Sequence, residues 1–428
     1  MTDFGPNPGS RVGRKKSTGG GSSSITIGTT PIVGGTTTRI LYDNAAKVGE
    51  LATTGSGNVV LATSATLVTP ALGTPSALVL TNATALPAAQ VAVGALANGI
   101  TATTQAAADN STKLATTAYV DAGDSTTWKG IAPGRLSLTS AVAVQSADVV
   151  AGTTIYYVPY IHDQVPVLGL TLGTGVSLAL AAGSQLSGKL YDLFLANHSG
   201  TLVLGTGPAW SSTSARGSGA GTTQIDQSTV AGVWTNTVTM TLTYDATPHT
   251  LSAAPGAAIY VGTMYASGNG QCTCQFNPAA AAGGSNTIVG IFNTYNRVLG
   301  GAFSADSTAS WTYATNTWRA QNASNSNRIS YVDGLAVLCV MAGCNNLVLG
   351  NSGGGQVGAV QNSTSAVPKS IGFGLSTGLV SLHPMGTYSP VLGLNYIQSV
   401  ETAQANPNTF YGFNTPDQDN SLIMALEI

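Results

Sequence analysis

The sequence predicts a mainly β protein built as an elongated, fibrous assembly. It would have an extended N-terminal anchor, a short intertwined stalk with a small helix, and C-terminal β-sandwich or jelly-roll head domains. Three observations carry this. Charged residues make up 7 % of the 428 residues, while glycine alone contributes 53, so hydroxyls, amides and glycine replace the usual ~25 % of charge. The hydrophobic fraction is 43 %, enough for a sizeable core. Glu occurs only at Glu50, Glu401 and Glu427, which leaves little material for amphipathic surface helices or for the charged flanks of a coiled coil. The net charge of −2 argues against nucleic acid as a partner of the whole chain.

Residues 1–50 form the first region. They are rich in Gly, Ser and Thr and carry Arg11, Arg14, Lys15, Lys16, Arg39 and Lys47 against Asp3, Asp43 and Glu50. Nothing there has the period of a core element, so the segment reads as an arm. Its basic cluster (RVGRKK) could bind nucleic acid; at the base of an elongated assembly it would more simply be a docking strap for an acidic surface, ordering on contact, and a tail with no partner is the plain alternative. No apolar stretch follows the basic residues, so the segment is not a secretory signal. The longest apolar run, Leu335–Gly343, falls far short of the ~20 residues that cross a bilayer. The chain is therefore expected to be made in, and remain soluble in, a cytoplasm, without membrane insertion.

Residues 51–128 form the second region. Short β-prone pieces are broken by Thr69-Pro70, Thr74-Pro75 and glycines. One copy of such pieces cannot cover its own apolar face, whereas several copies wound together can. Near its end, ADNSTKLATTAYVDAG offers a cap at Asn110 or Ser111 and a stripe of Leu114, Ala118 and Ala122, with Tyr119 alongside. A helix of about three turns is marginal alone. It gains stability when its stripe meets copies of itself around an axis.

From Lys129 onward the chain reads as β, with two domains, 129–280 and 281–428, divided at the linker-like run Pro278–Ser285. Trp234–Tyr244 (WTNTVTMTLTY) reads as one strand, with Trp234, Val238, Met240, Leu242 and Tyr244 on one face. Gln271–Phe276 turns Cys272, Cys274 and Phe276 inward. In Ser370–Leu375, Ile371, Phe373 and Leu375 share a side. The stretch from Ser421 to Ile428 places Leu422, Met424, Leu426 and Ile428 on one face. Short strands between Gly/Asn/Ser turns indicate sandwiches or jelly rolls.

The constellations that would carry chemistry are sparse. Cys272-x-Cys274 and the pair Cys339 and Cys344 lack zinc-knuckle spacing and read as small apolar side chains. His162, His198, His249 and His383 stand apart, and no nucleophile motif accompanies them. Residues after Lys129 include nine Asp, Glu401 and Glu427, a thin supply for the paired carboxylates of a glycosidase. No catalytic residue, metal site or cofactor is therefore assigned. Flat aromatics are the better candidates: Trp210 after a turn, and Trp311, Tyr313, Trp318 and Arg319 in SWTYATNTWRAQN. Aromatic faces stack on sugar C–H surfaces while Arg, Asn and Gln satisfy hydroxyls. Rings of this kind more often belong to the core. The phrases Asn296-Arg297-Val298 and Asn327-Arg328-Ile329 read as structural, each Arg pairing with a carboxylate or backbone carbonyls.

Two sets of phrases carry a resemblance. SGNVVLATSATLVTPALGTPSALVLTNATALP and DNSTKLATTAYVD resemble segments of bacteriophage tail-fibre proteins, where they lie between a virion-attachment region and a receptor-binding region. The first occurs once here, which implies a short shaft. AVAVQSADVVAGTTIYYVPY, YDLFLANHSGTLVLGTGPAW, FNTYNRV, SWTYATNTWRAQN and NRISYVDGL resemble a module at the ends of phage and prophage fibres. Together the pieces scatter over about two thirds of the chain. The resemblance implies a homotrimer in the virion. Its N-terminal arm, with Arg11, Arg14, Lys15 and Lys16, would dock on tail, portal or capsid proteins. Its 281–428 head would bind a host-surface glycan or envelope receptor. A head or collar fibre, a connector for another receptor-binding protein, and a polysaccharide-degrading spike are the alternative readings.

Overall fold

A computed structural model describes the backbone of residues 40–44, 47–51 and 131–428, the last without 166, 220, 229–231, 248, 352, 375–376, 405 and 416–418. The expected helix stripe (Leu114, Ala118, Tyr119, Ala122) and the basic cluster (Arg11, Arg14, Lys15, Lys16) lie outside these residues. The chain falls into two compact units, Met1–Ala97 and Asn98–Ile428. In the first, Ile40–Asn44 and Lys47–Leu51 form an antiparallel hairpin, with Ile40 opposite Leu51.

The second unit is mainly β, as the composition anticipates. Among its described residues the one helical piece is a short 3-10 turn, Gln321–Ala323. Strands Gly134–Ser137, Thr154–Pro159 and Val176–Ala179 make a small antiparallel sheet. A sixteen-stranded sheet follows. Its path includes Thr201–Ala209, Leu190–His198, Ala258–Gly268, Gln271–Cys274, Thr287–Val289, Arg328–Asp333, Gly393–Ala403, Gly355–Gln361 and Ile371–Gly374 in spatial order. A seven-stranded sheet is built on Val340–Leu349, which pairs with Asn420–Glu427 and Asn408–Tyr411 along one edge. Leu379–Leu382 and Met385–Tyr388 pair along its other edge.

The central strands explain the layering. Leu190–His198 begins LYDLFLA, a nearly continuous apolar run of the kind that suits a strand covered on both faces. Leu190, Phe194 and Ala196 face one core, shared with the seven-stranded sheet. Tyr191, Leu193 and Leu195 face the other, shared with the small sheet. The neighbouring Ala258–Gly268 divides likewise, with Tyr260 on one side and Ile259, Val261 and Met264 on the other. A single Leu→Ala change at Leu193 or Leu195, both fully buried, is expected to cost about 2–5 kcal/mol.

The large sheet crosses residue 280 without a break. Gln271–Cys274 pairs with Thr287–Val289 at Cys274 and Val289, and Ala258–Gly268 pairs with Ile291–Asn293. Residues 131–428 are thus one unit where the composition of Pro278–Ser285 suggested a linker. Arg135 ties its sequence extremes together. The buried guanidinium donates to main-chain oxygens of Ala143, Asn296 and Ile428, the last at 2.8 Å. Burial lowers its pKa from the ordinary value, against a smaller opposing pull from Tyr160.

Two local readings change. Trp234–Tyr244 is two strands, Trp234–Asn236 and Met240–Thr243. The cause is Asn236, whose buried amide donates to the carbonyls of Val238, Ala253 and Ala254 and accepts from Ala258 N–H. The side chain holds a turn inside a run of β-branched residues. Ile371 and Phe373 do share a side, but it faces outward. The inward side is Gly372 and Gly374, close against Leu382, Pro384 and Val380. By contrast, Leu422, Met424, Leu426 and Ile428 all lie on the buried face of the final strand. Cys272, Cys274 and Cys344 are buried and Cys339 is exposed, all as free thiols.

Candidate functional site

The site grows from the strand Ser310–Tyr313, which pairs antiparallel with Asn408–Tyr411. Trp311 lies opposite Phe410, and the two rings stack with centroids 6.2 Å apart and planes 9° from parallel. Tyr313 is two residues on and shares that face. After an exposed turn, Arg319–Ala320 returns as a strand against Gly393–Ala403, setting Arg319 opposite Glu401.

Glu401 is the hub of this arrangement, and its side chain is fully buried. Trp311 Nε1–H donates to Oε2 at 2.7 Å. Oε1 accepts from Arg319 Nε at 2.9 Å, from an Arg319 terminal nitrogen at 2.7 Å and from Asn322 N–H at 3.2 Å. The guanidinium lies 3.7 Å above the Tyr313 ring, and the Tyr313 hydroxyl donates to the Thr317 carbonyl at 2.9 Å. The Arg319 side chain stays 30 % exposed, so one edge of an otherwise immobilised guanidinium faces solvent. Burial pushes the Glu401 carboxyl up to about 7, against the opposing pull of the Trp311 N–H, Arg319 and the Asn322 N–H.

Asn322 couples the hub to a second buried acid. Its backbone φ is +55°, and its side-chain Nδ2 donates to Asp306 Oδ2 at 2.8 Å. Asp306 also caps Gly283 N–H and Thr308 N–H. Both carboxylates are fully buried, so they work as internal acceptors.

Of the five candidate receptor residues, Trp311, Tyr313 and Arg319 come together around Glu401, and half-buried Trp318 flanks Arg319 in the chain. Trp210 does not join them. It is 1 % exposed and packs under Arg216, whose guanidinium lies 4.4 Å from the indole ring. That correction has a physical cause: Arg216 is needed inside to pair with Asp192, and the indole covers it. Glu401, Asn322 and Phe410 were missed. A Glu in a chain with only three, set in the apolar context SVETA, was the available signal for a buried, paired acid.

The two repeated phrases behave as structural elements. Asn296 donates to the carbonyls of Ala132 and Gly134, and Arg297 pairs with Glu427 at 3.6 Å. Asn327 is buried and bonds Gln321 and Asn420, while Arg328 donates to Asn286. Among the described residues, no cluster of three or more His, Cys, Asp or Glu side chains is arranged to hold a metal ion. No helix of these residues is long and apolar enough to cross a membrane.

No protein-family model matches the chain. No curated protein matches it either. Among solved structures, a Bacillus thuringiensis Cry1Da tryptic core variant is similar at 8 % identity over 72 % of this chain and 54 % of that one, with a TM-score of 0.14. An overlap that loose carries no argument about fold or activity.

Proposed function

We propose that the chain is a structural bacteriophage fibre that attaches to the host surface by non-covalent binding, its targets being glycans of the envelope. The reading combines the shaft-like phrases of residues 51–128 with a low-charge β unit. The observation that carries it is the pairing of Tyr313 with Arg319, with half-buried Trp318 next to Arg319 in the chain. There a guanidinium is locked between an aromatic ring and a buried carboxylate with one edge in solvent. An oriented donor beside an aromatic face can meet a sugar hydroxyl and its C–H surface together. Uncharged polar surroundings limit non-specific attraction.

In this reading the chain works as a homotrimer in the virion. Arg11, Arg14, Lys15 and Lys16 dock on tail, portal or capsid proteins, and three weak sites act by avidity, worth ~10²–10⁴ in apparent affinity. No covalent step is assigned, because Glu401 and Asp306 are both buried with their oxygens engaged. A connector for another receptor-binding protein, or a head or collar mount, would share the same fold.

The test is binding of the full chain to immobilised bacterial lipopolysaccharides and capsular polysaccharides. Saturable binding to at least one, lost in Tyr313→Ala and Trp318→Ala, is the expected result. Binding unaffected by both changes removes this site from the reading. Release of reducing ends from any of these polysaccharides overturns the adhesin in favour of an enzyme.

A further inference from the structure

The outward face of the seven-stranded sheet sets large apolar side chains among polar ones such as Asn345, Ser381, Thr387 and Ser421, where the solvated face of an antiparallel sheet is ordinarily polar. Its register makes the pattern explicit. On Val340–Leu349, the even-numbered residues Val340, Ala342, Cys344, Asn346 and Val348 point into the core, and all are 0–1 % exposed. The odd-numbered residues point outward, and directly opposite residues share a face. Met341 lies outward with Ala425 opposite, Gly343 with Ile423 on one side and Met385 on the other, and Leu349 with Leu379. At the far edge Phe303 lies opposite Ile423 and Leu299 opposite Glu427. Phe413 meets Phe303 edge-on at 6.1 Å.

The apolar residues of this face are open in the single chain. Leu299 is 77 % exposed, Leu379 57 %, Met341 and Met385 47 % each, Phe413 45 % and Leu349 38 %. Taking roughly 200 Å² for a residue of this size, the six leave on the order of 600 Å² uncovered, at the upper end for the largest patch of a monomer. A standard protein–protein interface takes about 800 Å² from each partner. Charge is confined to the margins: Glu427 pairs with Arg297, and Asp419 accepts from Ser421. The imidazole of His383, on the same side, is tied to Asn345 and Ser381. A face with neutral polar groups between large apolar ones and charge only at its margins fits another uncharged surface better than an ionic one.

We propose that this face is the contact between copies of the chain, with Leu379, Met385, Met341 and Leu349 at its buried centre. The proposal rests on the reading of a multi-copy assembly and names the surface that assembly uses. A sister copy is the partner of matching chemistry, since it offers the same neutral, apolar face at equal concentration. Leu379 and Met385 are 57 % and 47 % exposed, so a lysine at either position can reach solvent in the single chain and tests association rather than the interior.

The experiment is native mass spectrometry and sedimentation velocity of the full chain, as wild type and as the double variant L379K/M385K. V367K, at a 68 % exposed position elsewhere, is the control, and near-UV circular dichroism checks the fold. An unpaired charge in a desolvated contact is expected to weaken association roughly 100-fold. The double variant should therefore run as a single folded chain at micromolar concentration while V367K keeps the wild-type mass. A wild-type oligomer that persists unchanged in L379K/M385K overturns the assignment of this face and leaves the multi-copy reading standing. A wild-type chain that is single overturns both. So does a single wild-type chain that floats with phosphatidylcholine vesicles through these residues.

Discussion

Among the described residues, two carboxylate–guanidinium pairs close on a fully buried acid, and they are built differently. In the interior, Arg216 grips Asp192 with both ends of the fork, at 2.7 and 3.1 Å. It also donates to the Gly334 carbonyl at 2.6 Å and lies over Trp210. Thr263 completes the shell of Asp192 at 2.7 Å. Gly334 is a glycine because a Cβ would collide with the Tyr260 hydroxyl, Thr263 and Phe292. At the edge, Arg319 holds Glu401 through one oxygen, with Tyr313 as its floor and solvent on its free side. The Arg216 pKa is raised: burial opposes its charge, and the pull of Asp192 and Tyr260 outweighs that. At the other pair burial outweighs the pull of the Trp311 N–H, Arg319 and the Asn322 N–H, and the Glu401 carboxyl is pushed up. Arg216 is thus a closed bolt that also reaches the Gly334 carbonyl 118 residues on, whereas Arg319 holds a buried acid while keeping one edge in solvent.

The largest effect separating them is expected from Arg216→Met. It leaves Asp192, which is fully buried, without its partner, and removing one member of a buried pair costs about 3–5 kcal/mol. Urea unfolding of the full chain measures it. A second change, Asp192→Asn, should recover part of the loss, because the uncompensated charge goes with it. A loss below 1 kcal/mol in the single variant would place both pairs in the same class.

The second effect is a pH dependence that belongs to Glu401. Its carboxyl titrates at about 7 when folded, raised from an ordinary 4.5. Between those values the folded chain holds a proton that the unfolded chain releases. Its contribution is therefore fully present below about 4.5 and is lost as pH rises to about 7. The loss should be on the order of 3 kcal/mol at one pKa unit per 1.36 kcal/mol. Thermal unfolding from pH 4.5 to 7.5 follows it, and Glu401→Gln should flatten the slope. A slope that survives this change would assign the dependence to other groups.

Trp311→Phe sharpens the contrast at smaller scale. The ring still stacks on Phe410, but the indole N–H that donates to Glu401 is gone. Hydrogen bonds to charged groups are worth about 1.5–3 kcal/mol, and since Glu401 is only partly ionised near neutral pH the lower end is expected. The cost should grow above pH 7, where the carboxylate form dominates, and shrink at pH 5. Urea unfolding at the two pH values tests this, and equal losses would deny that the indole senses the charge.

How much of this was legible follows from where each signal resides. The alternation Leu422, Met424, Leu426, Ile428 is local, so its buried face could be read directly. The break at Asn236 was hidden because its amide bonds residues as far away as Ala253 and Ala258, and no local pattern announces such partners. Trp311, Tyr313 and Arg319 were singled out as a group, but their hub is 82 residues beyond Arg319 and depends on a ladder register no window contains. Trp210 misled for the same reason: a Trp after a turn looks available until Arg216, held by Asp192 and the Gly334 carbonyl, is laid over it. Composition identified the class of fold well because sheets are built from bulk residue preferences. Pairing decided the sites.

The smallest expected effect is at the aromatic floor beneath Arg319. Trp210 under Arg216 and Tyr313 under Arg319 are the same contact in two settings, 4.4 and 3.7 Å from guanidinium carbon to ring centroid. Trp210→Leu opens space in a closed core and removes the cover from a buried cation, so it falls among the multi-kcal losses of large core substitutions. Tyr313→Leu keeps an apolar side chain beside a guanidinium that water already reaches. An exposed cation–π contact is worth about 0.5–1 kcal/mol, and Arg319 keeps its bonds to Glu401. Stability should therefore change by no more than that, whereas retention on an immobilised polysaccharide that binds the wild type should fall clearly, because the ring is the surface a sugar would meet. The two readouts moving in opposite proportion at these positions would separate a ring kept for the core from a ring kept for contact. A Tyr313→Leu chain that loses stability as heavily as Trp210→Leu, with binding intact, would make both floors structural.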